Sequence, residues 1–251
     1  MELIDSHCHL DYRSFNKDVD KVIINAKNKN IKAIITSTID VNIDRVIRLK
    51  KTYKNYIFHS LGLHPPGYTK ESVKRIKELI KNNLNSIVSI GEVGLDYHWV
   101  KDLKLREYQK EAFREFINLA KNVNKPIVIH SRKAEEDAVQ ILEELNTSRV
   151  LMHCFNGKVE LVKRIVDNNW IISIPTAVVN RKNHQKIAIA TPLKNMVLET
   201  DAPFLSPDKR RNEPSNVIFA AKKISELKNI PLREVAEKTT FNAIKFYSLH
   251  I

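Results

Sequence analysis

The stretch Asp5-Ser6-His7-Cys8-His9 follows a short apolar start, Leu3-Ile4. On an extended strand alternate side chains share a face, so His7 and His9 converge while Cys8 points the other way. Neutral imidazoles are common metal ligands, and this pair supplies half of a four-coordinate site. Residues of the same chemical type recur after later apolar runs: Glu92 after 87–90, His130 after 127–129, His153 after 150–152 and Asp201 after 196–198. These histidines and carboxylates are too many donors for one closed tetrahedral ion. They fit two divalent ions with a bridging carboxylate, an arrangement that activates water and neutralises phosphate oxygens during displacement. Glu92, midway in chain order, is the expected bridge. Asp201 is expected to bind metal and also to take the proton of the attacking water, which makes it and Glu92 the candidate catalytic carboxylates. Mixed His and carboxylate donors suit Zn, Mn or Ni, whereas Mg prefers oxygen.

Scattered ligands need a scaffold that gathers them. Eight short β-branched runs occur, at 3–5, 33–36, 57–59, 87–90, 127–129, 150–152, 171–174 and 196–198. Between them lie segments of helical periodicity, such as Tyr108, Ala112, Phe113, Phe116, Ile117 and Ala120 on one face. Regular alternation over 251 residues predicts the α/β class and a single-domain (β/α)8 TIM barrel over 1–251. A doubly wound open sheet is the alternative. In a barrel, the strand ends meet around one C-terminal mouth, so ligands far apart in sequence can converge. The five glycines, Gly62, Gly67, Gly91, Gly94 and Gly157, are expected just beyond strands, where a loop turns sharply or something nears the backbone.

Lys and Arg number 42 against 29 acidic residues, a net charge of +13. Such an excess attracts polyanions, nucleic acid being the commonest. Cations cluster after the strands, at Arg132, Lys133, Lys158, Arg181, Lys182 and Lys209-Arg210-Arg211. Arg132, Arg210 and Arg211 are the candidate phosphate-binding residues, because guanidinium suits bidentate contact. His64 on the same face either contacts a phosphate or anchors Pro65 and its loop. Asp96 is expected to hold the Gly91–Gly94 loop by a hydrogen bond, and His59, His98, His184 and His250 have no place in the pattern. With 43% hydrophobic and 28% charged residues, disorder and a disulfide-stapled miniprotein are excluded. No apolar run is long enough for a membrane span and the start lacks a signal-peptide pattern, so the cytoplasm is the expected compartment. Cys8 and Cys154 are expected to be free thiols, facing the surrounding helices as small core residues.

Several segments together carry a resemblance to a known family: Asp5-Ser6-His7-Cys8-His9-Leu10, Gly62-Leu63-His64-Pro65, Gly91-Glu92-Val93-Gly94-Leu95-Asp96-Tyr97, His130-Ser131-Arg132, His153-Cys154-Phe155-Asn156-Gly157 and Glu199-Thr200-Asp201-Ala202-Pro203-Phe204-Leu205. The sequence resembles the TatD family of metal-dependent hydrolases, part of the wider amidohydrolase-like barrels. That resemblance implies a divalent-metal hydrolase with His7, His9, Glu92, His130, His153 and Asp201 as ligands, and nuclease activity. Family members often carry Ser at the position of Asn156 and Tyr at that of Phe204, differences that should leave metal binding intact. The expected activity is phosphodiester hydrolysis of DNA, at ends or single strands, with two divalent ions (Mg, Mn, Zn or Ni). The alternative is ester hydrolysis of D-aminoacyl-tRNA at the same centre. A nucleic-acid-binding protein without catalysis would not need the complete ligand set. DNA is therefore the first expected partner and tRNA the second.

Overall fold

The computed structural model describes residues 1–38 and 43–251. Its strands are β1 (Leu3–Cys8), β2 (Ile31–Ser37), β3 (Ile57–Leu61), β4 (Ser89–Asp96), β5 (Ile127–Arg132), β6 (Val150–Met152), β7 (Ile171–Pro175) and β8 (Met196–Glu199). The intervening helices are α1 (Val19–Asn28), α2 (Ile43–Thr52), α3 (Lys70–Asn82), α4 (Leu103–Asn122), α5 (Glu135–Glu144), α6 (Glu160–Asp167) and α7 (Lys182–Ala190), and α8 (Val217–Lys228) and α9 (Leu232–Tyr247) complete the chain. Neighbouring strands pair in parallel and in sequence order. The seam between β8 and β1 is bridged just past the strands. There Asp201 N donates to His7 O at 3.0 Å and His9 N to Ala202 O at 2.7 Å. Thr200 adds its N–H and hydroxyl to the Asp5 carboxylate at 2.8 and 2.6 Å. The sheet is thus a nearly closed barrel, not the open alternative.

Strand alternation splits the apolar residues into two layers. Leu3, Ile34, Ile57, Ile127, Ile129 and Met152 pack outward against the helices. Ile4, Ala33, Ile35, Val128, Leu151 and Val197 fill the lumen, which Ala243, Phe246 and Tyr247 of α9 close off at one end. The pairing shifts in β1 between Leu3 and Ile4 and again between Asp5 and Cys8, and in β4 between Ile90 and Val93. Ile90 and Val93, three apart, both join the outer layer. An inserted residue of this kind re-aims the side chains beyond it.

Two sequence expectations need correction here. Glu92 and His130 do not follow their strands; they lie inside β4 and β5, because both strands continue past the apolar run. Gly91 and Gly94 are also inside β4, at φ +147° and +145°. A Cβ on Gly91 would stand 2.6 Å from Val128 O, so its absence lets β4 approach β5 closely. With glycine spent at such positions, helix ends use asparagine. Asn30, Asn124, Asn146, Asn169 and Asn229 take left-handed φ of 58°, 52°, 47°, 56° and 50° just after α1, α4, α5, α6 and α8.

Candidate metal centre

The six candidate ligands meet at the C-terminal mouth. Glu92 lies at the centre of the group: its Oε1 is 3.7 Å from His9 Nε2, while its Oε2 is 3.3 Å from His130 Nδ1 and 3.4 Å from His153 Nε2. Asp201 Oδ1 stands 3.2 Å from His9 Nε2, 3.9 Å from His153 Nε2 and 4.0 Å from His7 Nε2. Donor atoms of His7, His9 and Asp201 lie within 4.8 Å of one another, and so do those of Glu92, His130 and His153. Two triads therefore sit side by side, with the Glu92 carboxylate reaching both. Asp201 holds a left-handed backbone, φ 57°, uncommon for a residue with a side chain and frequent where function demands a particular aim.

Most of the imidazoles have a second partner that sets their orientation. His9 Nδ1–H donates to Ser37 O at 2.9 Å, His153 Nδ1–H to Glu199 Oε2 at 2.9 Å, and His130 Nε2–H to Asp96 Oδ2 at 3.0 Å. Such bonds fix the tautomer and turn the remaining nitrogen toward the site. Ser37 Oγ also accepts Glu92 N–H at 2.9 Å and donates to Gly91 O at 3.0 Å, anchoring the bulged part of β4. Asp96 does hold a loop, but a different one from that expected. Gly91–Gly94 is strand, and Asp96 Oδ1 accepts Trp99 N–H at 2.8 Å while Oδ2 holds His130. The sequence reading gave Glu199 no role. Its signal was the spacing from Asp201, since alternate residues at a strand end share a face.

Electrostatics fit a cation here. Burial works against charge on His9 and His153, yet the Asp201 hydrogen bond and Glu92 lift His9 to about 9, and Glu199 lifts His153 to about 10. Burial also disfavours charge on Glu92, but the hydrogen bond from His130 and the nearby imidazoles hold it well below the usual carboxylate range. His7 is pushed well down by burial and by His153, and neither of its ring nitrogens has a hydrogen-bond partner among the described residues. A buried imidazole left unpaired is costly. A divalent ion is the partner that its lone pair, His9 and Asp201 together would satisfy.

A cavity of about 870 Å3 opens over these donors, and Arg132, Lys133, Lys158 and Arg181 line it. His64 also lines it, its ring edge-on to His130 at 4.4 Å, and burial pulls its pKa down to about 4. Arg210 and Arg211 were expected at this mouth and are not among its lining residues. Arg210 pairs with Asp208 at the surface. Arg211 donates to both Asp18 oxygens at 2.8 and 2.7 Å and to Glu213 at 3.0 Å, with its guanidinium over Phe15 at 4.6 Å. Two carboxylates thus hold the cation that was read as a phosphate ligand. Cys8 and Cys154 are free, and Cys8 packs in the outer core as expected. Cys154 does not face the helices: a left-handed backbone, φ 44°, turns it to the cavity wall. His98 and His184 line the cavity too, whereas His59 is buried in β3 against Thr38 Oγ1 at 2.5 Å.

Comparison with known proteins agrees with this architecture. A family model described as TatD related DNase matches residues 4–248. The metal-dependent hydrolase YabD of Bacillus subtilis is 38% identical over 259 aligned positions, covering 99% of this chain and all of the relative. Human deoxyribonuclease TATDN3 is 33% identical, with 98% of this chain and 94% of the relative covered. Among solved structures, the TatD homologue YjjV of Escherichia coli superposes with a TM-score of 0.90 at 24% identity, over 99% of this chain and 98% of that one. No helix among the described residues is long and apolar enough to cross a membrane.

Proposed function

Since the chain belongs to the TatD-related DNase family of metal-dependent hydrolases, we propose that it hydrolyses phosphodiester bonds of DNA, at single strands or ends, as one catalytic unit spanning 1–251. The observation that carries this reading is the pair of donor triads joined by Glu92 beneath a cavity lined by cations. His7, His9 and Asp201 would hold one divalent ion and His130 and His153 the other, with Glu92 between them; Mg, Mn, Zn and Ni all fit the donor set. When bound, the ions supply a lowered pKa for a water molecule and neutralise charge on the phosphate oxygens.

The rest falls to the chain's own residues. Asp201 is the carboxylate within reach of cavity water, its side chain 14% exposed against 2% for Glu92. It takes the proton of the attacking water as the new O–P bond forms and the bond to the departing sugar oxygen breaks. Glu92, buried and bonded on both sides, holds the geometry. Arg132, Lys133, Lys158 and Arg181 neutralise neighbouring phosphates. His64, kept neutral, can offer an N–H to a phosphate oxygen. Free thiols at Cys8 and Cys154 fit a reducing compartment such as the cytoplasm.

The test is an assay on a single-stranded deoxyoligonucleotide, the matching duplex and D-aminoacyl-tRNA, each with added divalent ion and with chelator. Cleavage of the single strand that chelator abolishes is the expected result. Release of the D-amino acid without DNA cleavage would move the reading to an esterase, and no turnover of any substrate would overturn it.

A further inference from the structure

The protein has two tryptophans, and they are treated in opposite ways. Trp170 is 1% exposed and donates Nε1–H to Thr147 O at 2.8 Å. Trp99, in the turn after β4, is 63% exposed although it borders the cavity. An indole left largely in water forgoes a sizeable hydrophobic gain, so its placement at the mouth calls for an occupant.

Its position is well defined. Asp96, the residue that orients His130, also holds the Trp99 backbone N–H. The Arg132 guanidinium lies over the indole, 5.6 Å from the ring centroid, and the His98 ring stands edge-on at 4.8 Å. The Trp99 backbone is thus tied to the candidate metal centre through one carboxylate, with a phosphate-seeking cation over its ring. Phe204, the other partly exposed aromatic of the cavity, is 39% exposed and has its ring packed on Tyr12 at 5.2 Å and His9 at 6.0 Å, so it is already committed as wall.

We propose that Trp99 is a stacking platform for an unpaired nucleobase of the substrate strand, seating that base while Arg132 holds the adjoining phosphate. The proposal rests on the nuclease reading above and deepens it. Base–aromatic stacking tolerates any sequence, because every base has a π-face. It does require a base free of its own stack, which a single strand or a frayed end offers and the interior of a duplex does not. The preference for single strands and ends then has a physical cause in one side chain.

Steady-state kinetics on the metal-loaded protein tests this, comparing a single strand with a normal terminal nucleotide to the same strand with an abasic one. The base-bearing strand should have the lower KM, by on the order of tenfold. Trp99→Ala should raise its KM to near the abasic value with little change in kcat, and Trp99→Phe should restore the difference. Binding of the base-bearing strand should also quench the emission of Trp99, against the constant background of buried Trp170. If the strands are cleaved but Trp99→Ala keeps the full difference between them, the platform is wrong and the nuclease reading stands. If no strand is cleaved under any condition, the nuclease reading fails and takes the platform with it.

Discussion

The two ends of the barrel lumen are built from the same strands and do opposite work. Toward the end closed by α9, Ile4, Ile35, Val128, Leu151 and Val197 form a dry aliphatic plug. Toward the mouth, two residues further along the same strands or just past their ends, stand His130, His153 and Glu199, which crowd together with His7 and Glu92. Burying apolar side chains stabilises the fold. Gathering ionisable groups, with His7 unpaired among them, opposes it. Stability and chemistry are therefore divided along the strand axis, only two residues apart from Val128 to His130 on β5 and from Leu151 to His153 just past β6, as in barrels generally.

Mutations can break or sharpen this division. The largest expected effect is at the mouth: Asp201→Asn should fold normally and lose about 10²–10⁴-fold in hydrolysis, since it keeps the shape but removes the proton acceptor. Kinetics with a parallel melting curve checks it, and near-normal turnover with metal still bound would remove Asp201 from the base role. At the other end, Leu151→Ala should cost about 2–5 kcal/mol of stability. Urea unfolding measures that loss, while activity per folded molecule should persist; lost activity at unchanged stability would contradict the division. Glu199→Gln should weaken metal binding by about 10–100-fold through a poorly held His153, which an ion titration reads directly.

The smallest effect belongs to Arg211. Its hydrogen bonds to Asp18 depress that carboxyl below 3.8, so the stabilisation is fully present above the ordinary carboxylate pKa and fades as pH falls through the lowered folded value. The pair is partly exposed, so Arg211→Ala should cost about 0–1 kcal/mol at neutral pH and nothing measurable in acid. Melting curves at both pH values check this. A loss of DNA affinity with unchanged stability would return Arg211 to the phosphate role first expected of it.

What could be read from the sequence was local. The β-branched runs marked every strand of the barrel, and the residue types at or just past them marked the six donors that meet at the mouth. What could not be read was non-local or depended on a backbone irregularity. The shifts within β1 and β4 break the period on which strand alternation relies. Asp18 meets Arg211 across 193 positions of chain, a pairing that no local pattern foretells. Cys154 follows His153 as a strand residue would, but its left-handed backbone sends it to the cavity. Nothing in the sequence pattern marked Trp99, because only the fold shows that it is exposed at the mouth.

The central claim is that the mouth holds two ions, one in each donor triad. Titrating metal-stripped protein with manganese and counting the tightly bound ions per chain tests it most directly. The account predicts two ions for the parent protein and the loss of at least one in His7→Ala, whose site partners are His9 and Asp201. A single tight ion in the parent protein, or an unchanged count in the variant, would contradict it.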